Sequence, residues 1–307
     1  MAHVLNNVLP VFLLLALGKI LMRSGLAGEV FFKTSDKLVY FIFFPALLFW
    51  KIGSAGPGLE LPQGLILAVL TTIFLTWLAS LAYIRLARVT PFQAGSFSQV
   101  SYRFNTYIGM AVVLGAFGED GVARFGIIIS LAIPFINLLV VSTLVWYSQT
   151  DYTLTQRIKV LIRELAINPL ILACLAGIAY ARLAPPLPIF VNKTLALLSA
   201  ITLPMALLSI GASLALERLK GRMRLSLVSC VLKLVFMPLA GYALLRLWEV
   251  EPLSLAVAMV FFTLPTATSA YILSSQMNSD ADLAGAAIVL STLLSFVTLS
   301  LSLAWFA

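Results

Sequence analysis

The sequence predicts an all-α integral membrane protein of ten transmembrane helices, arranged as two inverted five-helix repeats in which broken helices 4 and 9 cross. Three observations lead there. Of 307 residues, 61% are hydrophobic and 10% charged, with a mean hydropathy of +1.05, and apolar runs of spanning length recur from end to end, which no soluble core requires. Basic residues concentrate in alternate connections. Two apolar spans carry polar, helix-interrupting segments at corresponding places, residues 99–109 (QVSYRFNTYIG) and 264–271 (LPTATSAY).

Taken at about 20 residues each, the spans fall at 5–22, 31–51, 63–87, 92–116, 122–147, 165–182, 189–214, 225–247, 252–277 and 283–305. No basic residue precedes the first apolar run, and Lys19 and Arg23 follow it, so it reads as a retained helix rather than a cleaved signal. The odd-numbered connections hold Lys19, Arg23, Lys33, Lys37, Arg85, Arg88, Arg157, Lys159, Arg163, Arg218, Lys220, Arg222 and Arg224. The even ones hold Lys51, Arg124, Arg182, Lys193 and Arg246. Odd connections are therefore expected in the cytoplasm and both termini outside the cytoplasmic membrane. In such a chain the net charge of +8 reports orientation before it reports a nucleic-acid partner.

Corresponding residues mark two halves, 1–149 and 164–307, joined by a short basic connection at 150–163. Pro10 and Gly18 in span one match Pro169 and Gly177 in span six, and Pro45 in span two matches Pro204 in span seven. Each interruption leads into an acidic connection, 118–121 (GEDG) and 278–282 (NSDAD), and then into 127–130 (IIIS) and 288–291 (IVLS). Five spans per half is odd, so the second half enters the membrane from the opposite side and the repeat is inverted.

The interruptions are the candidate site. Pro265 removes a backbone donor, and Thr266, Thr268 and Ser269 offer hydroxyls that compete for backbone partners, so span nine is expected to unwind there. Asn105, Thr106 and Gly109 supply a polar, flexible segment in span four, without a proline. A helix broken at mid-membrane points the N–H groups of its second half inward, toward an anion. The bland reading is two polar patches packed against neighbouring helices; their recurrence at equivalent positions favours a binding cavity.

Arg103 falls near the bilayer centre, where a charge is costly and usually functional, whereas Lys233 lies less deep and could either serve the site or snorkel to the interface. All twelve acidic residues fall at helix ends or in connections, with Asp36 alone entering a span. Such a cavity suits a carboxylate better than a metal cation. Cys174 and Cys230 lack ligand or redox spacing, His3 sits at a terminus, and no phosphate-binding loop occurs. Neither an enzyme, a cofactor nor direct use of ATP is expected.

Taken in order, Leu9-Pro10, Phe44-Pro45, Arg103-Phe104-Asn105, Asn168-Pro169, Lys233 with Pro238, and Leu264-Pro265-Thr266-Ala267 with Tyr271 resemble the auxin efflux carrier family over almost the whole chain. The resemblance implies crossing helices 4 and 9 beside the substrate. It also implies a scaffold of helices 1, 2, 6 and 7, a transport part of helices 3–5 and 8–10 that moves as an elevator, and a homodimer formed through the scaffold. Pro45 and Pro204 would bend scaffold helices beside the cavity. The chain lacks the long central hydrophilic loop of the plant carriers, so a small carboxylate such as malate or malonate is implied rather than indole-acetate. On this reading Asn105, Arg103, Thr106, Pro265, Thr266, Thr268, Ser269, Tyr271, Pro45 and Pro204 form the substrate site, tuned or coupled by Lys233 and Asp36. The rivals are a sodium- or proton-coupled organic-anion importer of related fold, a cation/proton antiporter, which the missing buried carboxylates oppose, and a membrane sensor that binds without transporting.

Overall fold

A computed structural model describes residues 2–54, 63–147, 167–183, 187–219 and 221–307. The connection expected at 150–163, with Arg157, Lys159 and Arg163, lies outside the described residues, as do Lys220 and the side chain of His3. Every described element is helical. α1 (Ala2–Arg23) precedes α2 (Glu29–Leu38), which passes through a π-helical turn (Val39–Phe43) into α3 (Phe44–Gly53). Then come α4 (Gln63–Leu86), α5 (Pro91–Val100), α6 (Thr106–Tyr147), α7 (Pro169–Leu183) and α8 (Ile189–Ser213). A 3-10 turn (Leu216–Leu219) leads to α9 (Met223–Val231), a second π turn (Leu232–Phe236), α10 (Met237–Leu247), α11 (Pro252–Thr263), α12 (Ser269–Gln276) and α13 (Ala281–Phe306).

Six stretches among the described residues are long and apolar enough to cross a membrane: 6–23, Gln63–Leu86, Thr106–Tyr147, Ile189–Ser213, 223–247 and Ala281–Phe306. The expected spans are not ten uninterrupted helices. Spans two and eight each contain a π turn, spans four and nine are broken by non-helical residues, and α6 holds parts of spans four and five, bent at Gly118, whose φ of 60° and ψ of −151° only glycine adopts cheaply.

Proline explains the two π turns. Each ends just before a Pro at the second position of the next helix, Pro45 in α3 and Pro238 in α10. The missing N–H and the ring's clash with the carbonyl four residues back both favour a wider turn. Pro204 stands inside a continuous α8, so Pro45 and Pro204 match in sequence position but not in local geometry.

Contacts between connections respect their parity. Lys51 pairs with Glu119 at 2.5 Å, Arg124 with Glu251 at 2.8 Å, and Trp50 donates to Asn192, all joining even-numbered connections. Arg222 pairs with Asp280 at 2.9 Å, and the Phe92 carbonyl accepts from the Asp280 N–H and the Ser279 hydroxyl, each at 2.9 Å, joining odd ones. Two faces thus collect the connections, as multi-pass threading requires.

The ends of α4 and α10 share one further device. Val89 N–H bonds the Ile84 carbonyl at 3.0 Å and Arg88 N–H the Arg85 carbonyl at 3.4 Å; Val250 bonds Leu245 at 3.0 Å and Glu249 bonds Arg246 at 3.3 Å. Both are Schellman caps, whose left-handed position usually takes glycine. Here it is filled by Arg88 (φ 52°) and Glu249 (φ 49°). The sequences Arg88-Val89-Thr90-Pro91 and Glu249-Val250-Glu251-Pro252 then each place a proline at the first turn of the next helix. This correspondence went unread in the sequence because X-Val-X-Pro is short and its charges are opposite.

Packing at close quarters rests on glycine. A Cβ on Gly18 of α1 would run into the Leu208 backbone of α8, and one on Gly211 of α8 into the Leu15 backbone. Gly177 of α7 faces the Phe49 carbonyl of α3, 3.2 Å from where its Cβ would lie. The pairs Gly18–Leu208 and Gly177–Phe49 are related by one sequence offset. Close backbone approach of this kind is how helices associate where lipid provides no hydrophobic drive.

At the start of α11, Glu251 accepts from Leu253 N–H (3.3 Å), Ser254 N–H (3.2 Å) and the Ser254 hydroxyl (2.6 Å), besides pairing with Arg124. Burial alone would raise its pKa, but the Ser254 and Arg124 interactions outweigh it and hold the carboxyl below its ordinary value. A depressed pKa contributes stability that is present above the unfolded value and lost as pH falls through the folded one. Glu251→Gln is therefore expected to flatten the loss of thermal stability below about pH 4.5, read as the melting temperature against pH.

Candidate functional site: where the two helix breaks meet

Both expected interruptions are present. Residues 101–105 separate α5 from α6, and residues 264–268 separate α11 from α12. They touch directly: Asn105 N–H donates to the Pro265 carbonyl at 2.9 Å, and the Thr266 hydroxyl donates to the Val100 carbonyl at 2.8 Å.

Breaking a helix frees backbone groups that lipid cannot satisfy, and here each of three freed carbonyls finds a named donor. Pro265 cannot donate to Phe261, whose carbonyl takes Leu264 N–H at 3.4 Å. Thr266 N–H turns away to the Ser291 hydroxyl at 3.1 Å, and the Phe262 carbonyl receives Lys233 Nζ at 3.3 Å instead. The Thr263 carbonyl receives the Thr298 hydroxyl at 3.1 Å. Lys233 is wholly buried, with Met237 Sδ 3.2 Å from its Nζ. The snorkelling alternative is thereby corrected: the π turn aims this cation at the carbonyl end of α11, where the helix dipole favours it. Lys233→Met is expected to cost about 1–3 kcal/mol by stranding the Phe262 carbonyl, seen as a lowered melting temperature in detergent; an unchanged one would show the carbonyl finds another donor.

Asn105 is buried and ends the first break. Its Oδ1 accepts from Tyr107 N–H and Ile108 N–H, both at 3.1 Å, so it caps the N-terminus of α6 and leaves the NH2 end of the amide for other work. The N-terminus of α12 differs: Thr268 stands at its cap without a side-chain hydrogen bond. Thr268 is half-buried and Ser269 exposed. In the first turn of α12, Ala270 N–H donates to the Ala267 carbonyl and Tyr271 N–H to the Thr268 carbonyl, each at 3.1 Å, so backbone rather than a side chain closes this N-terminus.

Arg103, half-buried in the first break, donates to Gln99 Oε1 at 3.1 Å and Asn137 Oδ1 at 2.9 Å. The side-chain oxygens of two neutral amides orient the guanidinium. Gln99 in turn donates to Ser274 Oγ at 2.7 Å and the Ala270 carbonyl at 3.3 Å, and Ser96 donates to Ser274 at 2.7 Å, so a buried polar seam ties α5 to α12. Gln99 opens the expected interruption at 99–109, whereas Ser96 and Ser274 lie outside both interruptions, and isolated serines in apolar sequence carry no spacing that could single them out.

Other expected residues are placed as follows. Thr106 opens α6 half-buried, and Tyr271 is half-buried in the first turn of α12. Gly109 lies inside α6 rather than in the break, its missing side chain making room for Phe125 and Leu264. Thr266 has both its hydroxyl and N–H engaged with protein, so it locks the crossing. Pro45 is half-buried next to Phe44, whose ring meets Tyr107 edge-on at 4.8 Å; Pro204 is on an exposed face of α8. Asp36 of α2 lies within electrostatic reach of Ser209 and of Tyr107, a residue in the first turn of α6. Among the described residues no cluster of three or more His, Cys, Asp or Glu side chains could hold a metal.

Comparison with known proteins agrees with this architecture. A family profile described as membrane transport protein matches residues 3–303. The chain is similar to an uncharacterized transporter of Methanocaldococcus jannaschii, 24% identical over 304 residues and 97% of each chain. It is similar to another uncharacterized transporter, of Methanothermobacter thermautotrophicus, 24% identical over 303 residues and 96% of each. To a putative malonate transporter of Rhizobium meliloti it is 34% identical over 142 residues, 45% of this chain and 43% of the relative. A match that runs nearly from end to end, on a chain built of apolar helices and two touching helix breaks, makes this protein a member of the auxin efflux carrier family of membrane transporters.

Proposed function

We propose that the protein is a secondary transporter that binds a small organic carboxylate at the crossing of the two helix breaks and carries it across the cytoplasmic membrane. The observation that carries the reading is the meeting of the two helix breaks through the bond from Asn105 N–H to the Pro265 carbonyl, with the Asn105 amide and the Arg103 guanidinium on the first break and the start of α12 just after the second. In this reading Asn105 offers its amide NH2, Thr268 and Ser269 their hydroxyls and N–H groups, and Arg103 its field or a direct pair. Thr106, Pro265, Tyr271, Pro45 and Pro204 shape the walls. The partial match to a putative malonate transporter supports a dicarboxylate.

The inverted five-helix repeat is supported by the paired caps at Arg88 and Glu249, the paired glycine contacts and the parity of the ion pairs. With a scaffold of helices 1, 2, 6 and 7, the glycine contacts of α1 with α8 and α7 with α3 would fall within the scaffold, which suits a rigid part past which the other helices move as an elevator. A homodimer through that scaffold belongs to the same proposal. A negative potential inside favours export, by about 2.3 kcal/mol per charge per 100 mV. Import would need coupling, and the nearness of Asp36 to Tyr107 makes it the group for a proton or sodium.

The test is a melting-temperature screen of purified protein with malonate, malate and indole-acetate, at two pH values, with and without sodium. A saturable rise with a dicarboxylate is expected. Stabilisation by cations alone would overturn the anion assignment, and an absolute need for sodium would favour the coupled importer.

A further inference from the structure

We propose that a second anion site, for the headgroup of an anionic phospholipid, lies in the cleft between the ends of α4 and α6, away from the helix crossing. The cleft has a volume of about 620 Å³, within the range of ligand pockets. Its apolar side is formed by Trp77, Leu81, Ile84 and Trp146. Arg85 and Arg88 supply two exposed guanidiniums, and Thr143 accepts the Trp77 indole N–H at 2.9 Å, holding that ring in place. Indole rings beside arginines at helix ends are the composition of a lipid interface, where the ring sits at headgroup depth and the guanidinium forks a phosphate. The charges of this connection assign it to the cytoplasmic face, whose leaflet is anionic.

A second observation singles out Arg88. It occupies the left-handed position of a Schellman cap with φ of 52°, where glycine would be the unstrained residue. Backbone strain kept in a position that a glycine could relieve points to work for the side chain. The matching cap at the end of α10 carries Glu249, of opposite sign, at a connection of opposite parity. A basic residue at this end of α4 also fits the excess of basic residues in odd connections; what marks Arg88 for a phosphate is that its exposed guanidinium stands with that of Arg85 on the cleft.

Arg88→Gly separates the two roles, because it relaxes the backbone while removing the charge. Variants retaining only Trp77 and Trp146, the two tryptophans of the cleft, in otherwise wild-type, Arg88→Gly and Arg85→Gln/Arg88→Gly backgrounds, are reconstituted with brominated phosphatidylglycerol or brominated phosphatidylcholine, and indole quenching is read. Wild type is expected to be quenched several-fold more effectively by the anionic lipid. The preference should fall in Arg88→Gly and vanish in the double variant, with melting temperature unchanged or raised. Equal quenching by both lipids, or no quenching because protein fills the cleft, overturns the proposal. So does a preference that survives the double variant.

Discussion

Asn105→Asp should leave the protein folded and abolish carboxylate binding. Aspartate is as good an N-cap as asparagine, so the bonds from Tyr107 and Ile108 to the side-chain oxygen at 3.1 Å persist. What changes is the other end of the group: an amide donor becomes a carboxylate oxygen beside the proposed ligand. Two like charges about 4 Å apart at an effective dielectric of about 20 repel by about 4 kcal/mol, roughly a thousandfold in affinity. Asn105→Ala removes cap and donor together, so it should lower the melting temperature as well as transport. The aspartate variant alone isolates the ligand role, and full transport by it would remove Asn105 from the site.

The largest loss of stability is expected from Gly211→Ala. Its new methyl would collide with the Leu15 backbone, and main-chain atoms inside a helix cannot turn aside as a side chain can. α1 and α8 must then separate, which also loosens the reciprocal contact of Gly18 with Leu208. Overpacking of this kind costs about 1–3 kcal/mol or more. Gly53→Ala is the control: its nearest neighbour would be the Tyr180 ring at 3.6 Å, an ordinary contact. Thermal unfolding in detergent should show a large fall for Gly211→Ala and Gly18→Ala and little change for Gly53→Ala. Equal behaviour of all three would contradict the close helix approach.

Features that depend on local chemistry were legible in the sequence. Pro265 with its hydroxyl neighbours foretold the break after α11, and apolar run length foretold the membrane. The break before α6, residues 101–105, falls within the interruption read at 99–109, but Gly109 lies beyond it in α6, because glycine reads alike whether it loosens a helix or makes room for Phe125. Who satisfies the freed carbonyls was not legible. Lys233 to Phe262 and Thr298 to Thr263 are contacts between residues distant in the chain, set by how whole helices pack. Thr266 shows the same limit: its residue type suggested a ligand, and its partners Val100 and Ser291 make it a lock. The correspondence of the left-handed caps at Arg88 and Glu249, which supports the proposed repeat, is a backbone property that these residue types do not advertise.

The proposed transport requires an anion to be bound and moved at the crossing of the breaks. The most direct measurement is malonate counterflow in proteoliposomes containing wild type or Asn105→Asp at equal reconstitution. Saturable counterflow by wild type, lost in the aspartate variant while its melting temperature is kept, is the expected result. Saturable carboxylate binding without counterflow would make the protein a sensor, and counterflow unchanged by Asn105→Asp would place the anion somewhere else.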